Sequence, residues 1–289
     1  MTRDESSIGL DAWLKTAPGR YLLGWEQARI DQEVADVFGF HALQLGLPEL
    51  DGLRANRMPH RWVATDSLQL SALLPLPSGA ARDVREGRDV AGAPAPALHC
   101  EFDALPLPDA SIDLVVLPHA LELARDAHQT LREVESVLVP DGRVVVVGFN
   151  PTSLWGLRQR LGGMRRSLGL ARGRGLFLPP AGDFIGYWRA RDWLRLLGFE
   201  VEGGHFGCWR PPLASERWLR RFAWMYRIGD RWWPVLGAVY MVCAVKRVRG
   251  MRLVGLARHD WRTRPRAATA VVARRHGSTA PLVRERGEV

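Results

Sequence analysis

Cysteine is scarce in this sequence. Only Cys100, Cys208 and Cys243 occur among 289 residues, and no Cys-x-x-Cys pair or cysteine–histidine cluster has the spacing of a metal site. An odd number of widely spaced cysteines does not build a disulfide framework. We therefore expect a protein of the reducing cytoplasm that holds no structural metal.

Long apolar runs are also absent. The longest, residues 232–245, is too short for a membrane span and contains Pro234 and Gly237. The first ten residues carry Asp4 and Glu5 and have no apolar stretch of the kind found in a signal peptide. The sequence thus predicts a soluble protein without a transmembrane segment.

Acidic residues are depleted only at the C-terminal end. Residues 246–289 hold 12 basic and 3 acidic residues, which accounts for the formal net charge of +9, whereas residues 1–245 hold 28 of each. We interpret 249–289 as a disordered basic tail. A solvated tail is favoured over RNA binding, because no aromatic residue beyond Trp261 accompanies these arginines.

What the sequence has in abundance is apolar residues, at 47%, and they are concentrated in an alternating pattern. Residues 98–102, 112–117 and 143–149 read as strands, and 127–138 as a helix with Leu131 and Val134 on one face. Near-continuous apolar strands are typical of a sheet that is covered on both faces. The alternation predicts an α/β fold with a parallel sheet.

The flanking segments extend this pattern. Helical spacing on both sides of Pro18-Gly19 predicts two short helices within residues 1–37. Further predicted strands are 40–46, 61–65, 199–206 and 239–248; further predicted helices are 50–57, 154–161 and 190–197; and 76–96 is predicted as a loop.

Three motifs resemble a known family. They are the block from Glu101 to Val115 (EFDALPLPDASIDLV), the segment HALE at 119–122, and the helix and turn at 131–143 (LREV to LVPDGR). They are similar to class I S-adenosylmethionine-dependent methyltransferases of the methyltransferase type 11 group, which includes enzymes of ubiquinone and menaquinone biosynthesis. The resemblance implies a Rossmann-like, mostly parallel seven-stranded sheet with helices on both faces. The domain would span 38–248, with a lid or insertion region in 151–238.

The resemblance also implies a site for S-adenosylmethionine. In open α/β sheets a ligand lies outside the carboxyl ends of the strands. Asp66, about twenty residues past Gly46, matches the acid that accepts the ribose hydroxyls. Glu101 matches the adenine ligand, Phe102 would flank the ring, and Pro118 would follow the fourth strand near the transferred methyl group. The alternative for Asp66 is a loop acid that caps a helix.

His119 is the one candidate for a catalytic base, since imidazole titrates near neutral pH. The alternative is a histidine that packs in the core or lines the pocket. Methyl transfer mainly requires positioning of the acceptor and exclusion of water, so a strong base is not obligatory. No other catalytic residue is assigned.

The glycine-rich loop of the family is nearly absent. Where the family has Asp/Glu-x-Gly-x-Gly-x-Gly, residues 44–50 read QLGLPEL, with Gln44 in place of the acid, one glycine at Gly46, and Pro48. Gln44 and Gly46 are therefore the predicted cofactor contacts of this loop. The depleted loop motivates a second hypothesis, a methyltransferase-like binding or scaffold protein that lacks activity.

The aromatic, arginine-rich segment 209–233 has two interpretations. With Trp218, Phe222, Met225 and Tyr226 on one helical face, it is either a cover helix packed on the sheet, or a functional element: a lid over an apolar acceptor or a face that contacts membrane lipid, two roles that overlap. The leading functional hypothesis is methyl transfer from S-adenosylmethionine to a small-molecule acceptor, apolar if the lid interpretation holds. The sequence leaves the oligomeric state open.

Overall fold

The computed structural model describes residues 10, 12–66, 97–167, 177–178 and 184–248. The predicted loop 76–96 and the predicted basic tail 249–289 lie outside these residues.

Seven strands form one sheet in the order β3-β2-β1-β4-β5-β7-β6. Strands β1 to β5 run parallel to their neighbours, and β7 lies antiparallel between β5 and β6. The strands are β1 (His41–Leu45), β2 (His60–Thr65), β3 (Leu98–His99), β4 (Ile112–Pro118), β5 (Leu138–Phe149), β6 (Phe199–Gly207) and β7 (Val239–Lys246). The predicted Rossmann-like α/β class is confirmed.

Helices connect and cover the strands. They are α1 (Ala17–Val34), α2 (Ala120–Leu123), α3 (Ala127–Val137), α4 (Leu154–Ser167), α5 (Tyr187–Leu196), α6 (Glu216–Arg221) and α7 (Met225–Trp232), with a 3₁₀ turn at Pro234–Leu236. None of the described helices is long and apolar enough to cross a membrane.

The core lies on both faces of the sheet. On one face Leu22 and Ile30 of α1 pack with Leu114 and Val116 of β4. On the other face α3 and α5 cover the alternate strand positions, among them Val115. Burying each such side chain stabilises the fold by about 1.5–3 kcal/mol. Coverage of both faces explains why the strands read as continuous apolar runs.

The N-terminal helices differ from the prediction in where they divide: residues 12–14 are helical, residues 15–16 are not, and α1 begins at Ala17 and continues to Val34. Pro18 and Gly19 start α1 rather than break it, because the Thr16 hydroxyl accepts a hydrogen bond from the Gly19 amide and proline is compatible with a first turn. A Cβ at Gly19 would come within 2.4 Å of the Trp13 carbonyl oxygen. Glycine at this position therefore lets α1 begin directly beside the preceding turn.

Two further predictions were wrong in detail. Residues 50–57 form turns instead of a helix. The expected turn at Pro140-Asp141-Gly142 is an irregularity inside β5, where Asp141 has φ 62° and the pairing with β4 shifts register between Ile112 and Leu114. A local bulge thus gives the chain its bend without ending the strand.

Candidate functional site

The predicted ligand residues lie at the carboxyl ends of neighbouring strands. Gly46 follows β1, Asp66 follows β2, Glu101 lies two residues past β3, and Pro118 ends β4. Because these strands are parallel, their carboxyl ends share one edge of the sheet. The fold thus brings the predicted cofactor residues to that edge.

The two predicted acidic ligands are more exposed to solvent than Gln44 and Gly46, which are buried at the carboxyl end of β1. Glu101 is exposed and Asp66 is half-buried. Burial raises the pKa of the Cys100 thiol to about 11, and the charge of Asp66 adds to this shift. Both carboxylates are therefore on or near the surface at the β2–β3 end of the edge.

Gln44 holds the loop after β1 from inside. Its buried amide Nε2 lies 3.1, 3.0 and 2.7 Å from the carbonyl oxygens of Gly46, Leu47 and Leu50, and its Oε1 accepts from the Gly52 amide at 2.9 Å. A carboxylate has no proton to donate to these carbonyls. Gln44 therefore binds the backbone of the loop with both of its polar atoms.

Gly46 turns the chain at the end of β1. It has φ +80°, and the following Leu47 has φ 44° and is buried in the core. A Cβ at Gly46 would lie 3.5 Å from the Phe102 ring and 3.7 Å from the methyl group of Ala120. The buried Phe102 ring thus lies directly beside Gly46, whereas Leu47 points into the core.

His119 lies at the centre of a buried group of charges. Its Nδ1 is 2.8 Å from a Glu122 carboxylate oxygen, and its Nε2 is 2.8 Å from Oε1 of Glu26 on α1. The other Glu122 oxygen accepts from the Phe149 amide at 2.6 Å. All three side chains of this Glu26–His119–Glu122 cluster are almost completely buried.

The carboxylates determine the charge of His119. Burial disfavours the protonated ring, but the facing Glu26 and Glu122 outweigh it and raise the pKa of His119 to about 10. Burial also raises the pKa of Glu26, whose Oε2 has no hydrogen-bond partner among the described residues. With both ring nitrogens bound to carboxylates, His119 has no free nitrogen with which to accept a proton. This geometry favours a positioning role over the catalytic one.

Sequence reasoning did not single out Glu26 or Glu122. A signal for Glu26 is present: it lies four residues from Leu22 and from Ile30, on the face of α1 that is buried. A carboxylate on an apolar helix face must find a buried partner. The sequence contained no indication that the partner would be His119, 93 residues away.

A cavity of about 490 Å³ lies beyond the end of β4. Apolar side chains of Leu121, Ile185 and Trp193 line it together with Arg125, Asp126, His128 and Arg189. It is formed by α2, the start of α3 and α5, and Glu122 of the buried cluster is part of its wall. An acceptor with an apolar body and a polar group would match this lining.

Comparison with known proteins agrees with this geometry. Residues 78–146 match the model of a family described as a methyltransferase domain. This segment of the chain thus matches a methyltransferase domain. The predicted family and enzyme class are thereby confirmed, and S-adenosylmethionine is the cofactor that this family implies.

Individual relatives are more distant. A segment of 97 residues is 38% identical to the uncharacterized protein YafS of Escherichia coli K12. The matched segment is 34% of this chain and 36% of YafS, so the chain spans about a third of the length of this relative. A similar fold occurs in the complex between the Haloferax volcanii Trm112 methyltransferase activator and its methyltransferase partner. The matching chain of that complex is 15% identical to this one, and the TM-score is 0.50. The match covers 85% of this chain and 99% of the other. The structural likeness shows the shared fold.

Proposed function

We propose that this protein transfers a methyl group from S-adenosylmethionine to a small acceptor with an apolar body. The observation that carries the proposal is the pair of carboxylates, Asp66 and Glu101, at adjacent strand ends beside Gly46. The strand order and the match to a methyltransferase domain support the assignment of this pair to a cofactor site.

The donors and acceptors at the edge suit the adenosine part of the cofactor. Ribose hydroxyls and the adenine amino group are donors, and carboxylates are acceptors without competing donors. In the proposal Asp66 accepts from the ribose and Glu101 from the adenine. Phe102, which is 2% exposed and lies against Gly46, would back the site from inside, and Pro118 bounds the site at the end of β4.

Gln44 contributes to this site indirectly. Its amide fixes the carbonyls of the loop after β1, and this holds Gly46 at its positive φ beside Phe102. A rigid loop reduces the entropy that is lost when a ligand binds. We therefore assign Gln44 to positioning of the loop and Gly46 to close backbone approach.

The chemistry requires little of the protein beyond placement. When bound, S-adenosylmethionine would supply its sulfonium methyl group: an acceptor atom would attack the methyl carbon in line as the carbon–sulfur bond breaks, and S-adenosylhomocysteine would leave. The chain's own residues bind and orient the two molecules and exclude water. The cavity lined by Leu121, Ile185 and Trp193 is the proposed acceptor site, with Arg125 and Arg189 holding a polar group of the acceptor. The acceptor's proton is released to solvent, because His119 is already protonated.

Isothermal titration with S-adenosylmethionine and S-adenosylhomocysteine tests the proposal. We expect both to bind, and Glu101→Gln and Asp66→Asn each to weaken binding by roughly ten-fold or more, since hydrogen bonds to a charged group contribute about 1.5–3 kcal/mol. Asp103→Asn is the matched control, one acid removed from the same segment without an assigned contact. Failure of both compounds to bind the wild type would overturn the proposal and leave the scaffold hypothesis.

A further inference from the structure

We propose that a surface of exposed aromatic and arginine side chains, formed by 154–165 and 216–236, binds the surface of an anionic lipid bilayer. We name it the aromatic–arginine surface. Its exposed apolar members are Leu154, Leu157, Leu161, Met164, Trp218, Trp224, Tyr226, Ile228, Trp232, Trp233, Val235 and Leu236. These are twelve of the seventeen large apolar side chains that are exposed in the described part of the chain, so most of the exposed apolar side chains fall in these two segments.

Helices α6 and α7 carry most of their large apolar side chains on the side that faces solvent. A cover helix buries its apolar face against the core. Here only Leu219 of α6 and Gly229 of α7 are buried, and Gly229 packs against the Trp209 side chain. The tryptophans face outward instead, with Trp232 70% exposed. The interpretation of this segment as a cover helix packed through its aromatics was therefore wrong.

Helix α4 also exposes a row of apolar side chains to solvent. Trp155 is buried and holds the helix to the domain, donating from its indole nitrogen to the Arg210 carbonyl at 2.7 Å. Leu157, Leu161 and Met164 follow at steps of four and three residues and are all exposed. They therefore form a continuous apolar stripe on the outside of the helix.

Both parts of the surface leave the same edge of the sheet. Asn150, which follows β5, donates to the carbonyls of Val235 and Gly237 at 2.7 and 2.8 Å and so joins the base of α4 to the 3₁₀ turn. Arg158 of α4 donates to the Pro212 carbonyl, just before α6. This is the carboxyl edge of β5, the edge at which the predicted cofactor residues lie.

The charge of the surface selects the occupant. Its exposed charged side chains are Arg158, Arg160, Arg165, Arg217, Arg220, Arg221, Arg227 and Arg231, against Glu216 and Asp230. Two such surfaces would repel each other, which argues against a second copy of this chain. Nucleic acid would match the arginines and tryptophans but would leave the leucine and methionine stripe of α4 without a partner. Tryptophan and leucine beside arginine are the composition of helices that lie in the interface of an anionic bilayer.

Membrane binding would specify the acceptor. This step rests on the proposed methyl transfer: with the site and the surface at one edge of the sheet, an apolar acceptor dissolved in the bilayer could reach the cavity without crossing water. The surface itself is testable whether or not the methyl-transfer proposal holds.

Flotation with vesicles tests the binding directly. We expect the full chain to float with vesicles of phosphatidylcholine and phosphatidylglycerol, and much less with phosphatidylcholine alone. The double variant Trp224→Glu, Trp232→Glu should lower the partition coefficient roughly ten-fold or more. Phe38→Glu, Phe40→Glu is the matched control, because Phe40 is also 70% exposed but lies at the opposite edge, before β1; it should float like the wild type.

A charge variant separates the two contributions. Arg220→Gln, Arg221→Gln should remove most of the preference for anionic vesicles, about five-fold for each arginine, and Arg220→Lys, Arg221→Lys should retain it. Circular dichroism verifies that each variant is folded. No flotation of the wild type, equal loss in the Phe38 and Phe40 control, or concentration-dependent dimers that the tryptophan variant abolishes would overturn the proposal. Flotation without cofactor binding in the titration would retain the surface and reject only the enzymatic function.

Discussion

Two groups of carboxylates lie at the carboxyl edge of the same sheet, in opposite surroundings. At the end of β4, Glu26 and Glu122 are buried and face the protonated ring of His119. At the ends of β2 and β3, Asp66 is half-buried and Glu101 is exposed to solvent. The first group joins three elements that are far apart in sequence, whereas the second is spread along neighbouring strands.

The difference separates groups that hold the fold from groups that can bind a ligand. A charge that is fully enclosed by protein already has its partners, and removing one of them leaves another charge unpaired. An exposed carboxylate is hydrated, so exchanging water for a ligand costs the fold little. We therefore expect variants of the buried cluster to affect folding, and variants of the exposed acids to affect binding.

Replacing His119 should have the largest effect. His119→Leu leaves Glu26 and Glu122 buried without a cation, and the free energy of unfolding should fall by about 3–5 kcal/mol. Urea denaturation measures this loss. Glu26→Gln, which removes one carboxylate and keeps a polar side chain, should cost less. Equal stability of His119→Leu and the wild type would show that the cluster does not support the fold.

Raising the pH should produce a smaller loss, because the neutral ring retains part of its hydrogen bonding. The pKa of His119 is raised from 6.5 to about 10 in the folded protein, so its stabilising contribution is complete below pH 6.5 and is lost as the pH rises towards 10. Urea denaturation across this range should show declining stability. Nuclear magnetic resonance of the imidazole nitrogens gives a direct readout, and a midpoint near 6.5 would contradict the paired cluster.

Converting Gln44 to the acid of the family pattern should have an intermediate effect. Gln44→Glu places an acceptor against three carbonyl oxygens, and we expect unfolding free energy to fall by about 1–3 kcal/mol. Gln32→Glu, an exposed glutamine on α1 that accepts a hydrogen bond from Arg29, is the control and should be neutral within about 0.5 kcal/mol. A stabilised Gln44→Glu protein with tighter cofactor binding would show that the loop rearranges to the family form.

The exposed acid should have the smallest effect on stability. Glu101→Gln should change the free energy of unfolding by no more than about 0.5 kcal/mol, as is usual for surface positions. Thermal unfolding without ligand measures this directly. If the variant were as destabilised as His119→Leu, the two groups of carboxylates would share one structural role and the comparison would fail.

Local pattern was a good guide where neighbours in sequence are neighbours in space. The helix and the strand β4 were predicted to within one residue of their ends, because apolar periodicity reflects burial of each element on its own, whereas β3 ends three residues earlier than predicted and β5 begins five residues earlier. The same pattern placed Asp66 and Pro118 at strand ends, and the resemblance to the methyltransferase family placed Glu101 there. Parallel pairing then brings such ends to one edge whatever the details of the loops.

The loop after β1 shows where this reasoning stops. Its sequence indicates a missing acid and missing glycines, but the role of Gln44 depends on which backbone groups point inward. A loop that turns its carbonyls towards the side chain requires a donor, and a loop that turns its amides there requires an acceptor. The spacing of residues in the sequence does not show whether the carbonyls or the amides of a loop point towards a given side chain.

By itself the sequence determined an α/β fold with a parallel sheet covered on both faces, because these follow from local periodicity and composition, while the resemblance to the methyltransferase family assigned the acids to one edge. Only the tertiary structure decided that His119 is enclosed by Glu26 and Glu122, that Phe102 lies against Gly46, and that the tryptophans of 216–236 face outward. The physical reason is that burial and pairing of a side chain depend on residues distant in sequence. The sequence of an amphipathic helix shows that the helix has an apolar and a polar face. Which of the two faces is exposed to solvent depends on how the rest of the fold packs against the helix.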